Sequence, residues 1–113
     1  MNNPFDKVKI LIDNLFLQIE KDLKNLELES FSITLFQIII KTMELVELSI
    51  KNEDGRIKKY IVIEIGRKIV QKYYPKEENF YNEYIDNLIE LIIGSYYQFK
   101  KLKGSKSCLP CFS

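Results

Sequence analysis

The chain has 113 residues, enough for one domain with a core of its own. Hydrophobic residues make up 46%, an ordinary globular share that excludes a wholly disordered chain. Lys and Arg number 17 against 16 Asp and Glu, a net charge of +1, so the clear basic excess of a nucleic-acid binder is missing.

The first predicted helix runs from about Pro4 to Leu28. Phe5, Val8, Ile12, Leu15, Ile19, Leu23 and Leu26 recur at steps of three and four and draw one stripe. Pro4 suits its first turn, where a missing N–H costs nothing. Residues 29–32 read as a turn in which Ser30 or Ser32 caps the next helix. That helix is expected from Ser32 to Ile50, with Leu35, Phe36, Ile39, Ile40, Met43, Val46 and Ile50 on a wide apolar face. Ile38 and Leu45 widen it further, so it is expected to be the most buried of the helices. Lys51 to Gly55 ends it, with Asp54-Gly55 as a turn dipeptide.

Arg56 to Tyr74 admits two readings. Ile57, Ile61, Ile65, Ile69 and Tyr73 step by four as in a helix, whereas residues 60–65 are β-branched enough for a strand. Helix is favoured, because no second segment offers a strand partner and the pattern continues past Gly66. Pro75 stops it. The last helix is expected from Lys76 to Leu102, lined by Phe80, Tyr84, Ile85, Leu88, Ile89, Ile92, Tyr96 and Phe99. Glu77 and Glu78 at its start and Lys100 and Lys101 at its end suit the helix dipole. Gly94, in its interior, marks a kink or a close helix contact.

Four amphipathic helices with short connections predict an all-α fold, a small antiparallel up-and-down bundle over residues 1–102. Residues 103–113 change composition and read as a short C-terminal tail. Charge divides between the halves. Residues 1–54 carry 6 basic and 10 acidic side chains, a net of −4, and residues 55–113 carry 11 and 6, a net of +5. Either the two halves attract each other, or the basic end faces an acidic surface.

Asp6, Lys7, Lys9 and Asp13 fall where a signal peptide would be apolar. The longest apolar runs are far below the roughly 18 residues that suggest a membrane span. An intracellular, cytoplasmic protein is the expectation.

Histidine is absent, which removes the commonest general acid–base and both Ser-His and Cys-His nucleophile pairs. The glycines at 55, 66, 94 and 104 form no phosphate-binding loop. Glu44 with Glu47, and Glu83 with Asp86 and Glu90, have helical spacings that could pair carboxylates, but they read as solvated faces. A di-metal bundle would need Glu-x-x-His. No catalytic, metal or cofactor site is therefore expected, and the chain is read as a non-enzyme. Tyrosines 60, 73, 74, 81, 84, 96 and 97 stand partly among lysines. They are read as bundle-boundary residues, ring buried and hydroxyl wet, ahead of a nucleic-acid stacking platform.

Cys108-Leu109-Pro110-Cys111 is the one distinctive motif, and it holds both cysteines. Two thiolates could serve a zinc ion shared with another chain. The Cys-x-Pro-Cys spacing could also carry a reversible disulfide, although only two residues follow Cys111 and no helix can lower the thiol pKa. Lys100, Lys101, Lys103 and Lys106 before the cysteines supply the basic patch that, together with S-acylation, anchors a protein to an acidic membrane. An unmodified tail is the fourth reading. Prenylation is excluded, because position 110 is Pro.

Met43 to Glu47, Gly55 to Val62, Ile85 to Ile89 and the Cys-containing end resemble small uncharacterised all-helical proteins of nucleocytoplasmic large DNA viruses, over roughly residues 31–113. The resemblance implies a helical fold and a viral or virus-infected-cell setting, and carries over no active residues. The sequence thus leads to a helical adaptor or structural protein, held to a membrane, a virion or a protein partner by Cys108 and Cys111. A thiol-disulfide relay and a self-associating helical module are the alternatives.

Overall fold

The computed structural model describes residues 4–23 and 31–103, with side chains described for residues 7–23, 31 and 33–95. Those residues form α1 (Pro4–Leu23), α2 (Phe31–Ser49), α3 (Gly55–Tyr73) and α4 (Glu78–Lys103), with a 3₁₀ turn over Pro75–Glu77 before α4. No strand occurs among them, so the β-branched run at 60–65 is helical and the all-α reading stands. The run is one stretch of a longer helical pattern, and burial against three neighbours outweighs its local strand preference.

The ends of the elements follow from local chemistry. Asp54 is the N-cap of α3, its Oδ1 accepting from the Arg56 N–H at 2.7 Å. The Asp54-Gly55 pair is therefore a helix start and not the turn expected from the dipeptide: Gly55 is already helical. Pro75 ends α3 as expected, and Tyr74 N–H closes the last turn on Val70 O at 2.8 Å. Ser32 lies inside α2, one residue past its start, while Ser30 and residues 24–28, expected to end the first helix, are outside the described residues. α4 runs unbroken through Gly94, and no described atom lies near a Cβ placed there, so the expected close contact is absent.

Residue pairs set the helix directions. Asp13 and Glu20 of α1 meet Lys68 and Lys72 of α3 in the same chain order, so these two run parallel. Lys59, Arg67 and Gln71 of α3 meet Glu90, Asn82 and Glu78 of α4 in reverse order, as antiparallel neighbours do. Among the described residues α2 has the most buried positions, as expected, but the centre of the packing is α3. α3 packs on α1, α2 and α4, whereas α1 and α4 do not meet among the described residues. The bundle is thus a fan around α3. Ile61, Val62, Ile65, Ile69 and Val70 of α3 join Ile12, Leu15 and Ile19, Ile39, Met43 and Val46, and Tyr81, Ile85 and Ile89 in one core.

At the tightest crossing Gly66 faces Tyr81. A Cβ at position 66 would overlap the Tyr81 hydroxyl, and would also lie 2.9 Å from Tyr81 Cζ and 3.0 Å from Ile39 Cδ1. Glycine here lets a tyrosine into the core. The Tyr81 hydroxyl donates to Ile63 O at 2.7 Å, so this tyrosine is wholly buried, contrary to the boundary role expected of it.

Candidate functional site

The residues singled out in the tail divide. Lys100, Lys101 and Lys103 lie in the last turn of α4, one residue further than the pattern implied, without described side chains. Lys106, Cys108 and Cys111 lie outside the described residues.

Three of the five acidic candidates, Glu47, Asp86 and Glu90, serve as ion-pair partners. Glu44 and Glu83 are solvent-facing as expected. Asp86 and Glu90 flank Lys59 at 3.0 and 3.2 Å. Burial lowers the Lys59 pKa, but the two carboxylates outweigh it and the net shift is upward. Glu47 departs from the solvated reading. Its Oε2 accepts from Lys58 Nζ at 2.7 Å, and Lys58 also donates to Lys51 O at 3.0 Å. The Lys58 ammonium therefore sits at the C-terminal end of α2, where the helix dipole favours a cation. Nothing in the sequence separated Lys58 from the other lysines of α3. Only the arrangement of neighbours shows that it points inward.

The remaining charges of α3 clamp the fan. Lys68 holds Asp13 at 2.8 Å, and the bond keeps the Asp13 carboxyl below its ordinary pKa. Lys72 and the Tyr73 hydroxyl share Glu20, which raises the pKa of both. Lys68 and Lys72 also lie over the Phe16 ring, 5.9 and 5.8 Å from its centroid. The acidic first half and the basic second half thus meet along the α1–α3 contact. Among the described residues no group of carboxylates and thiols is placed to hold a metal ion.

The solvent-facing surface also carries apolar grooves. Phe80, Tyr84 and Leu91 form an exposed stripe on α4, and with Leu35, Leu88 and Asn87 they line a groove of about 270 Å³ against α2. Aromatic rings continue it: Phe80 lies 4.7 Å from Tyr84 and 6.1 Å from Phe31, and Phe31 packs edge-on to Tyr74 at 5.0 Å. The Tyr74 hydroxyl is buried there without a hydrogen-bond partner among the described residues. A second groove, of about 670 Å³, is lined on α2 by Ile33, Phe36, Gln37, Ile40, Lys41 and Glu44. The sequence pattern had put Phe36, Ile40, Phe80 and Tyr84 in the core stripe. α2 and α4 carry more apolar residues than the core takes up, and period alone does not say which of them stay outside.

No helix among the described residues is long and apolar enough to cross a membrane. No protein-family model matches the chain, and no curated protein and no solved structure is significantly similar to it.

Proposed function

We propose that this chain is a non-enzymatic helical interaction module, an adaptor or structural protein whose bundle offers an apolar surface to a protein partner. The observation that carries the reading is the exposed second apolar face of α2 and α4, made by Ile33, Phe36 and Leu48 on one helix and Phe80, Tyr84 and Leu91 on the other. Exposed apolar patches of this kind are characteristic of contact sites. The charges by which α3 meets its neighbours, by contrast, form ion pairs that hold the helices together.

The tail extends the proposal. Lys100, Lys101, Lys103 and Lys106 steer the end of α4 to an acidic surface, and Cys108 and Cys111 tether it there by S-acylation. Replacing both cysteines by Ser is expected to move the protein from the membrane fraction of its natural cell to the soluble one. The intact mass of the native protein is expected to fall on hydroxylamine treatment, as a thioester requires. Unchanged fractionation together with a bare mass would rule the tether out. The Cys-Leu-Pro-Cys spacing favours one other reading, a thiol-disulfide relay. A reversible Cys108–Cys111 disulfide in a redox titration, with no acyl mass, would put that reading first. The resemblance to helical proteins of large DNA viruses suggests a virion or an infected cell as the setting.

A further inference from the structure

α4 runs past the helices beside it. Gln71, Arg67 and Lys59 of α3 meet Glu78, Asn82 and Glu90 of α4. At that register Gly55, the first residue of α3, comes level with Gly94 of α4 or earlier. Ile39 and Glu47 of α2 approach Gly66 and Lys58 of α3 in reverse order, so α2, which ends at Ser49, stops near the same level. α1 runs parallel to α3 with Asp13 at Lys68, and its start at Pro4 lies no further out. α4 nevertheless continues to Lys103. Residues 95–103 therefore project with no described helix beside them, over about 13 Å at a rise of roughly 1.5 Å per residue.

The projecting end differs in charge from the rest of α4. Within the bundle the helix carries Glu78, Glu83, Asp86 and Glu90. Residues 91–113 hold Lys100, Lys101, Lys103 and Lys106 and no Asp or Glu. Helical period carries the buried line Ile85, Ile89 and Ile92 on to Tyr96 and Phe99, beyond the level at which the core has other helices to receive it. Leu102 follows within the last turn.

We infer that residues 95–103 are a membrane-contact helix end, which binds an anionic lipid surface by itself, without S-acylation. The inference rests on the membrane-tether reading and assigns its first contact to a built part of the fold. Aromatic and apolar positions among lysines suit a headgroup layer, with rings at the acyl boundary and ammonium groups among the phosphates. A charge of one sign over the whole end matches a surface that is anionic over its whole area. Continuity with Cys108 and Cys111 favours lipid over an acidic protein. Stable anchoring takes two signals, and the helix end supplies one where the cysteines add the other. A segment this short binds weakly and reversibly.

The test uses the full chain with Cys108→Ser and Cys111→Ser, so that neither an acyl group nor a disulfide contributes. The probes are vesicles of phosphatidylcholine alone and of phosphatidylcholine mixed with phosphatidylserine. The protein is expected to sediment with the mixed vesicles, to leave the neutral ones, and to be released by salt. Each basic residue at such a surface is worth about fivefold in binding, so Lys100→Gln with Lys101→Gln is expected to weaken it about tenfold or more. The chain has no tryptophan, so Phe99→Trp is a single reporter. Its emission is expected to shift to the blue on mixed vesicles, whereas that of Phe36→Trp, on the outer side of α2, is expected to stay. Circular dichroism checks that each variant is folded. No binding to mixed vesicles overturns the inference, as does equal binding to neutral ones. Bound protein with Phe99→Trp unshifted, or with Phe36→Trp shifted in its place, overturns it too. The acyl tether is judged separately, by the hydroxylamine-sensitive mass of the native protein, in which both cysteines are present.

Discussion

Lys58 Nζ lies 2.7 Å from Glu47 Oε2, and the two side chains are only 2% and 11% exposed. The pair joins the end of α2 to the start of α3 from the inside. Taking two charges out of water is costly, and the cost is offset only while each has its partner.

Removing one partner should therefore cost far more than removing both. Lys58→Met is expected to destabilise the fold by about 3–5 kcal/mol, because it strands a buried carboxylate. Glu47→Leu combined with Lys58→Met is expected to recover most of that loss. Urea unfolding of the two single variants and the double one measures the coupling. Additive losses across the cycle would mean that the pair is not closed to water in solution.

Gly66 and Tyr81 make a second cycle. Gly66→Ala gains roughly 1 kcal/mol in helix propensity. It also drives a methyl into the Tyr81 ring and hydroxyl, and overpacking of this kind costs about 1–3 kcal/mol. A net loss is expected. Tyr81→Phe alone gives up the bond to Ile63 O, about 1 kcal/mol. In the double variant the closest overlapping atom is gone, so it should unfold at a higher temperature than the sum of the single losses predicts. A thermal melt of Gly66→Ala no lower than that of the parent would show that the α3–α4 crossing is looser than described.

The dependence on pH follows from the shifted groups. Asp13 and Asp54 titrate below the ordinary 3.8 because Lys68 and Arg56 bond to them. Their folded-state values are depressed, so the stability that they contribute is present above 3.8 and is lost as pH falls further. Lys59 and Lys72 titrate above 10.5, and Tyr73 and Tyr81 above 10.0, Tyr81 chiefly through burial. These values are raised, so their contribution is present below 10.0 and is lost as pH rises beyond it. With no histidine in the chain, the melting temperature should be nearly level across the neutral range and fall at both ends. Asp13→Asn should flatten the acid fall and Tyr81→Phe the alkaline one. A steep slope at neutral pH would contradict the assignment.

Much of this architecture was legible along the chain. Pro75 and the apolar period placed α2, α3 and α4 within a few residues, because those signals act over one or two turns. The absence of histidine likewise bore directly on chemistry. The middle of each inward face was legible too, as Ile12, Leu15 and Ile19, Ile39 and Met43, Ile61 and Ile65, and Ile85 and Ile89 show, but its edges were not. Ile57 and Tyr73 looked like core positions of α3 and are half-open, while Lys58 and Gly66 are buried.

The reason is physical. Helices such as α2 and α4 are apolar over more than half their circumference, so their own pattern allows several ways of packing. Burial energy depends on how much apolar area is covered and is indifferent to direction. The choice falls to the few contacts that are directional or steric: the Lys58–Glu47 pair, the Tyr81 hydroxyl on Ile63 O, and the gap at Gly66. Each joins residues at least eleven positions apart. The sequence by itself determined that the chain makes helices and, to within a few residues, where α2, α3 and α4 start and stop. The tertiary structure alone decided that α3 is the centre, and that Ile33, Phe36, Phe80, Tyr84 and Leu91 are left on the surface.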